Sequence, residues 1–313
     1  MTDVARLSTL TADQRHDVAQ ILDAALAEDG VAALSEQAVL AVAHSSPEVE
    51  HFVAGAGSGA SGPNIAGAGS GASGYGNVLP GREGENPTGE LVVAPAHRRT
   101  GVGTAVLTAV LDAYPNVRLW AHGNPTGAQG LAASVGVSSQ RVLLQLRRAL
   151  GGGSDATGSE LPALPSRNDI ILRTYAGAED DAEILRVNNA AFDWHPEQGG
   201  WTLDDIAART GSDWFDEAGL FLAFDANEPR RLLGFHWTKI HGPQLGEVYI
   251  VGVDPSAQGR GLGRYLTLAG LRYLDPLVAE CNLYVEGDNT AALHTYERLG
   301  FAQYAIDVAY GRA

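Results

Sequence analysis

Basic residues are scarce in this chain: 21 Lys and Arg stand against 37 Asp and Glu, a formal net charge of −16 over 313 residues. Nucleic-acid phosphates are held largely by clustered Lys and Arg, so that deficit argues against a nucleic-acid partner. A cationic amine ligand fits the charge, and solubility alone explains it equally well. Cysteine is scarcer still. The single Cys281 rules out an intramolecular disulfide framework and a cysteine-rich metal site, and it reads as core filling. No eighteen uncharged apolar residues run together, and the N-terminal MTDVARLSTLTADQR lacks a basic segment followed by an apolar block. The expectation is a cytoplasmic, monomeric protein with no membrane attachment. What is present is globular: 45% apolar and 19% charged residues, in a chain long enough for two ordinary domains.

The most informative stretch is Glu247 to Arg264, EVYIVGVDPSAQGRGLGR. Val248, Tyr249, Ile250, Val251 and Val253 suit a strand, and Leu262, Leu266, Ala269 and Tyr273 fall at helical spacing behind it. Between them Gln258, Gly259, Arg260, Gly261, Leu262 and Gly263 form a glycine-spaced loop opening into a helix, where free N–H groups favour an anion. No Lys-Ser/Thr pair follows, which excludes an ATP-type P-loop, and the spacing G-x-G-x-G is not the dinucleotide pattern. The pattern Q-x-x-G-x-G after an apolar strand resembles the acyl-CoA motif of the GCN5-related N-acetyltransferases. That resemblance implies acetyl-CoA as cosubstrate and no metal. The loop from Gln258 through Arg264 would hold its pyrophosphate, while the main chain of Val251, Gly252 and Val253 pairs with its extended arm. A glycine-rich turn that merely packs a helix on a strand is the alternative.

Taken in order, the chain opens with a helix over residues 12 to 28, capped by Thr11 and ended by Gly30, then a second over Glu36 to Ala43 and a short strand at His51 to Ala54. The run AGAGSGASG occurs at Ala54 to Gly62 and again at Ala66 to Gly74. It has little apolar area to bury, so the insert 54–76 reads as a flexible hairpin tip. From Leu91, LVVAPAHRRTGVGTAVL repeats the outline of strand, Pro-containing turn, glycine loop and helix. Aligning Gly101 and Gly103 with Gly261 and Gly263 pairs Leu91, Val92 and Val93 with Val251, Gly252 and Val253, and Arg98 with Gln258. It makes Arg99, Thr100, Gly101, Val102, Gly103 and Thr104 a second anion-binding loop. A repeat period of about 160 residues means two similar domains. The Gly/Ser/Pro-rich segment 151–168 reads as a linker between domains 1–150 and 169–313. The second domain continues with strands at Ile170 to Arg173, Gly219 to Phe224, Leu232 to Lys239, Cys281 to Glu286 and Gln303 to Tyr310, and helices over Ala182 to Ala191 and Thr290 to Leu299. The fold class is α/β (α+β): two tandem acetyltransferase-type domains, each a mixed, mostly antiparallel twisted sheet flanked by helices.

Acetyl transfer from a thioester to an amine needs a neutral amine, a polarised carbonyl and a proton donor for the thiolate. Strand alternation places Glu247, Tyr249, Val251 and Val253 on one face. Glu247 lies four residues before the thioester-binding amide and suits a general base, directly or through a water; a solvated strand-end glutamate is the alternative. In NTAALHTYERLGF the resemblance makes Tyr296 the general acid and brings Asn289, Thr290, Ala291, Ala292, Leu293 and His294 to the cofactor. A tyrosine packed under the final strand is the other reading. At the aligned positions the first half has Pro87 for Glu247 and Ala132 for Tyr296. It therefore reads as acetyl-CoA-binding but non-catalytic.

Within the family, RTYAGAEDDAEILRVNNAAFDWHPEQGGWT, LLGFHWTK and GEVYIVGVDPSAQGRGLG are similar to the tandem-domain members that acetylate a small-molecule amine, the cysteinyl amine of a cysteinyl-glucosaminyl-inositol conjugate. This resemblance carries over Glu36, Glu197, Lys239, Glu247 and Tyr284 as substrate contacts. Glu36 and Glu197 also hold similar places after the first helix of each half, which points to a cleft between domains. Taken alone, each fits a solvated surface charge equally well. His236 and Trp237 read as packing, since no metal-type spacing surrounds them. Two other functions stay open: an acetyltransferase for another amine, such as a peptide N-terminus or an antibiotic, and a non-catalytic acyl-CoA sensor.

Overall fold

The computed structural model describes residues 2–43, 48–55, 71–81, 85–152, 160–193 and 198–313. Its contacts divide the chain into two units, one of residues 1–143 with 306–313 and one of residues 144–305. The division runs through two strands and not through the segment 151–168. From residue 160 onward that segment belongs to the second unit, where Leu161 and Leu164 pack on the core and the Pro162 carbonyl accepts from Arg272 at 3.2 Å. No helix among the described residues is long and apolar enough to cross a membrane.

The first unit contains β1 (Val4–Leu7), α1 (Ala12–Asp29), α2 (Glu36–Ala43), β2 (Glu50–Gly55), β3 (Ala72–Leu79), β4 (Thr88–Val93), α3 (Val102–Ala113), β5 (Arg118–Ala121), α4 (Thr126–Val135) and the start of β6 (Ser138–Ala149). Its sheet runs β1-β2-β3-β4-β5, and the end of the last strand, β12 (Ala302–Gly311), completes it antiparallel to β5. The ends of α1 are fixed by its sequence. Thr11 and Gln14 form a reciprocal capping box, and Gly30, in the left-handed region at φ 68°, closes the helix. Val18, Ile21 and Ala25 then pack against Tyr75 and Val92 of the sheet.

The second copy of AGAGSGASG corrects the expectation of a flexible tip, because Ala72, Ser73 and Gly74 are the start of β3. Smallness is what the strand needs there. A Cβ on Gly74 would lie 2.7 Å from Val102 Cγ1, and one on Gly76 3.1 Å from Val106 Cγ1, so these glycines let α3 press on the sheet. Residues 56–70 of the repeat lie outside the described residues.

Beyond β5, His122 sits between two carboxylates, with Nε2 3.1 Å from Glu90 Oε1 and Nδ1 3.4 Å from Asp307 Oδ2. Burial pulls the imidazole down, but its bonds to Asp307 and Glu90, with their charges, together outweigh this and raise it to about 9. For Asp307 burial pushes upward, and His122 with the Gly123 amide outweighs that to hold it below the usual range. A histidine raised in the folded state contributes stability that is full below its unfolded pKa, near 6.5, and is lost as pH rises through about 9. Between about pH 6 and pH 10 the wild-type protein should lose about 1–3 kcal/mol more in urea unfolding than His122→Gln does.

The second unit contains the end of β6, then β7 (Ile170–Thr174), α5 (Asp181–Ala191), α6 (Leu203–Thr210), β8 (Leu220–Asp225), β9 (Leu232–Gly242), β10 (Leu245–Val253), α7 (Leu262–Leu274), β11 (Glu280–Glu286), α8 (Thr290–Arg298) and the start of β12. The sheet order is β6-β11-β10-β9-β8-β7, with β10 and β11 parallel. One face packs on α5 and α6 through Ile184, Val187, Ile206, Phe235, Trp237 and Ile250. The other receives α7, which comes so near that a Cβ on Gly270 would lie 2.1 Å from the His236 ring. His236 is fully buried and pulled down by burial to about 4, with Nδ1 2.8 Å from the Leu266 carbonyl, so it is a neutral packing residue. Trp237 is likewise fully buried.

Candidate active site

Strand β10 carries the candidate base, and its pairing with β9 is irregular twice. Val248 pairs with Thr238 and Ile250 with Trp237, so Tyr249 is an extra residue; Gly246 pairs with Ile240 and Leu245 with Gly242, so His241 is another. Such bulges re-aim side chains. The first corrects the alternation expected from the sequence. Glu247 shares a face with its partner Lys239 and, past the bulge, with Ile250 and Trp237, whereas Val251 and Val253 turn to the opposite face and pack with residues of α7. In the first unit β4 pairs with β3 without a break from Thr88 to Val93.

The parallel pairing of β10 with β11 ends at Glu247–Asn282, although β10 runs on to Val253. The pairing of β4 with β5 ends in the same way at Glu90–Trp120, three residues before Val93. Both units therefore carry a stretch of strand past the last parallel pair, containing Val251–Val253 in one and Leu91–Val93 in the other. Main chain in this position is suited to pairing with an extended ligand.

The two loops that follow are duplicates in shape. Gln258 Nε2 donates to the Val253 carbonyl at 3.5 Å, and Arg98 Nε to the Val93 carbonyl at 3.3 Å. Left-handed residues fall at matching places: Gly259 (φ 76°) and Gly261 (φ 73°) against Arg99 (φ 63°) and Gly101 (φ 92°). Gly261 and Gly101 are the N-caps of α7 and α3 and bring no side chain to the helix start, and a Cβ at either would meet open space. Uncapped N–H groups at an open helix start fit an anion such as the pyrophosphate of acetyl-CoA. The loop of the second unit is braced from outside: Arg167 Nη1 donates to the Arg260 carbonyl at 3.0 Å, and Asp169 pairs with both Arg167 and Arg260. At α8, Asn289 Oδ1 accepts from the Ala292 amide at 3.1 Å and caps the helix, while Thr290, Ala291 and His294 are exposed and Ala292 and Leu293 pack on the core.

Around Glu247 the structure gathers several polar groups. Its carboxylate is 12% exposed, with Oε2 2.6 Å from His241 Nε2. Lys239, the only lysine of the chain, lies opposite on β9 with its ammonium over the rings of Trp214 (4.8 Å) and Tyr249 (5.6 Å). Asn282 lies opposite on β11, buried, with Oδ1 lacking a partner among the described residues. Tyr284 is two residues further along β11, exposed, and its hydroxyl accepts from Gln145 at 3.1 Å.

Tyr296 stands edge-on to Phe301 at 5.8 Å and joins the core beneath the final strand. Burial, and then the nearby Cys281, pushes its phenol up to about 12. Cys281 is itself fully buried and pushed up to about 12 by burial, with Glu247 adding to the rise, which makes it an unreactive thiol. Glu247 and Tyr296 thus both act on Cys281, beside the end of the β10–β11 pairing.

Glu36 is exposed on the first turn of α2 in the first unit, one residue after Ser35, whose amide donates to Glu90 Oε2 at 2.9 Å. Glu197 lies outside the described residues. Four residues of the region escaped sequence reasoning: His241, Asn282, Trp214 and Asp169. Only His241 had a signal, its place two residues after Lys239 on a strand.

Duplicated loops and split strands mark a tandem acetyltransferase of the GNAT class, and residues 185–301 match the family described as "Acetyltransferase (GNAT) family". Two solved structures share the fold. They are a GCN5-related N-acetyltransferase from Sphaerobacter thermophilus (TM-score 0.71, 19% identity, 98% of this chain and 94% of that one) and a tandem GNAT protein from the clavulanic acid biosynthesis pathway (TM-score 0.62, 17% identity, 99% and 98%). Curated relatives named mycothiol acetyltransferase include those of Gordonia bronchialis, 57% identical over 95% of this chain and 92% of the relative, and Rhodococcus erythropolis, 50% identical over 97% and 98%. The chain belongs to the mycothiol acetyltransferase family.

Proposed function

We propose that the second unit transfers the acetyl group of acetyl-CoA to the cysteinyl amine of a cysteinyl-glucosaminyl-inositol conjugate, forming mycothiol. The observation that carries this reading is Glu247: a half-buried carboxylate at the point where β10 leaves β11, ringed by Lys239, Asn282 and His241. Acetyl-CoA supplies the activated acetyl group as a thioester. Gly259, Gly261 and the start of α7 hold its pyrophosphate, and the main chain of Val251–Val253 pairs with its arm. Glu247 takes a proton on Oε1 from the acceptor's α-ammonium, whose pKa near 8 leaves it only partly charged at neutral pH. Tyr296 Oη gives its proton to the departing thiolate. Lys239, Tyr284 and Glu197 serve as acceptor contacts, hydrogen-bonding groups suited to polyhydroxylated rings.

CoA release with acetyl-CoA and the conjugate tests this reading. Absence of turnover would sink it, and faster turnover with peptide N-termini would favour the general amine acetyltransferase instead. The first unit binds acetyl-CoA but does no chemistry, since its strand has no bulge and Pro87 and Ala132 stand where the proton-moving groups would be. Gly101→Val, which forces a β-branched residue into the left-handed region, should reduce the calorimetric stoichiometry from about two acetyl-CoA to about one while single-turnover acetyl transfer keeps its rate. Lost chemistry in a still-folded variant would contradict it.

A further inference from the structure

The hairpin joining β9 to β10 contains a feature that the proposed reaction does not by itself require. His241 is the residue left without a partner where Ile240 pairs with Gly246 and Gly242 pairs with Leu245. Gly242 at φ 154° follows it, a backbone setting that L side chains rarely adopt. On the partner strand Gly246 is closely packed, since a Cβ would lie 3.0 Å from Val278 and 3.1 Å from Leu274. The hairpin is thus built around this bulge, and the bulge brings His241 Nε2 to 2.6 Å from Glu247 Oε2. A carboxylate can only accept, so the hydrogen of this bond sits on Nε2.

We propose that His241 is the positioning residue of the base: its Nε2–H holds Glu247 Oε2 and so commits Oε1 to the acceptor's ammonium. This rests on the reading of Glu247 as the general base. The need for such a hold is visible in the register. Lys239 lies directly opposite Glu247 on the same face, and its ammonium is placed over Trp214 and Tyr249. A carboxylate released from His241 can swing toward that ammonium, and a base paired with a lysine is a poorer acceptor for the substrate proton. His241, with a side chain 38% exposed against 12% for Glu247, holds the carboxylate from the solvent side.

The test is a donor series with a double-mutant cycle, read as kcat and KM with the full-length protein, acetyl-CoA and the cysteinyl-glucosaminyl-inositol conjugate. His241→Leu removes the donor and should lower kcat about 10-fold or more, with KM for acetyl-CoA unchanged. His241→Gln keeps an N–H near the position of Nε2 and should restore kcat to within about 3-fold of wild type. In a Glu247→Gln background His241→Leu should cause no further loss, because the group it positions is gone. Wild-type kcat in His241→Leu, a His241→Gln variant as impaired as His241→Leu, or additive losses in the cycle would each overturn the proposal. The cycle retains its meaning even if His241→Leu lowers stability, since a general folding defect adds in both backgrounds. Full activity in Glu247→Gln alone refutes the base assignment itself, a distinct outcome.

Discussion

Glu247→Gln lowers kcat by about 100- to 10,000-fold at neutral pH, the range that a positioned general base contributes. The substitution preserves shape and the capacity to accept from His241 Nε2, so the hairpin, its bulge and the cofactor loop stay in place. What is lost is a group able to take a proton. The loss should be largest at low pH and shrink as pH rises, because above the ammonium pKa of about 8 most of the acceptor is already neutral amine. Steady-state rates between about pH 6 and pH 9.5 therefore converge toward wild type from below. A constant deficit across that range would mean that Glu247 only binds the acceptor, and a wild-type rate at neutral pH would remove it from the mechanism. KM for acetyl-CoA should not move, since the groups assigned to the cofactor lie past the bulge and in the loops.

The order of elements was readable because it is written in local signals. Thr11, Gln14 and Gly30 delimit α1 without tertiary help, and the glycines at 259 and 261 fix a loop whose shape the structure shows. The duplication was equally plain, since Gly101 and Gly103 align with Gly261 and Gly263, and in the structure Arg98 and Gln258 donate to equivalent carbonyls of the two halves. Long-range structure was not written locally. Ala72–Gly74 has the composition of a flexible tip, and only the approach of Val102 makes it a buried strand. The strand β1, four residues long, is too short to leave a periodicity. The end of β12 goes to the first unit because β5 needs an antiparallel neighbour, a matter of sheet pairing and not of sequence pattern.

The site shows the same division. Glu247 and Tyr296 could be singled out by motif, but the face that Glu247 shares with the rest of β10 could not, because one extra residue at Tyr249 reverses the alternation and no residue type announces it. His241 and Asn282 reach Glu247 only through strand register, the one across a bulge and the other across a parallel pair. Arg167, which donates to the Arg260 carbonyl, and Asp169, which pairs with the Arg260 side chain, lie some ninety positions away in sequence. Periodicity identifies elements, while contacts of this kind depend on how the elements are laid side by side.

Tyr296→Phe should lower kcat by a factor comparable to the loss of the base, about 100-fold or more, and for a reason that can be isolated. The ring keeps its edge-on contact with Phe301 and its place in the core, so stability changes little. Only the hydroxyl goes, and with its phenol pushed up to about 12 this group is protonated at neutral pH. It therefore arrives at the reaction as a donor, and no alkaline fall in rate below about pH 10 belongs to it. A thiol of ordinary basicity leaves poorly as a bare thiolate, so removing the donor slows its departure. An acetyl thioester of a more acidic thiol, such as an aryl thiol, leaves without that proton. The ratio of wild-type to Tyr296→Phe rates should then fall toward one with such a donor, while the Glu247→Gln deficit, which concerns the amine, persists. Equal deficits with both donors would assign Tyr296 to packing alone, and turnover surviving Glu247→Gln and Tyr296→Phe together would end the acid–base mechanism.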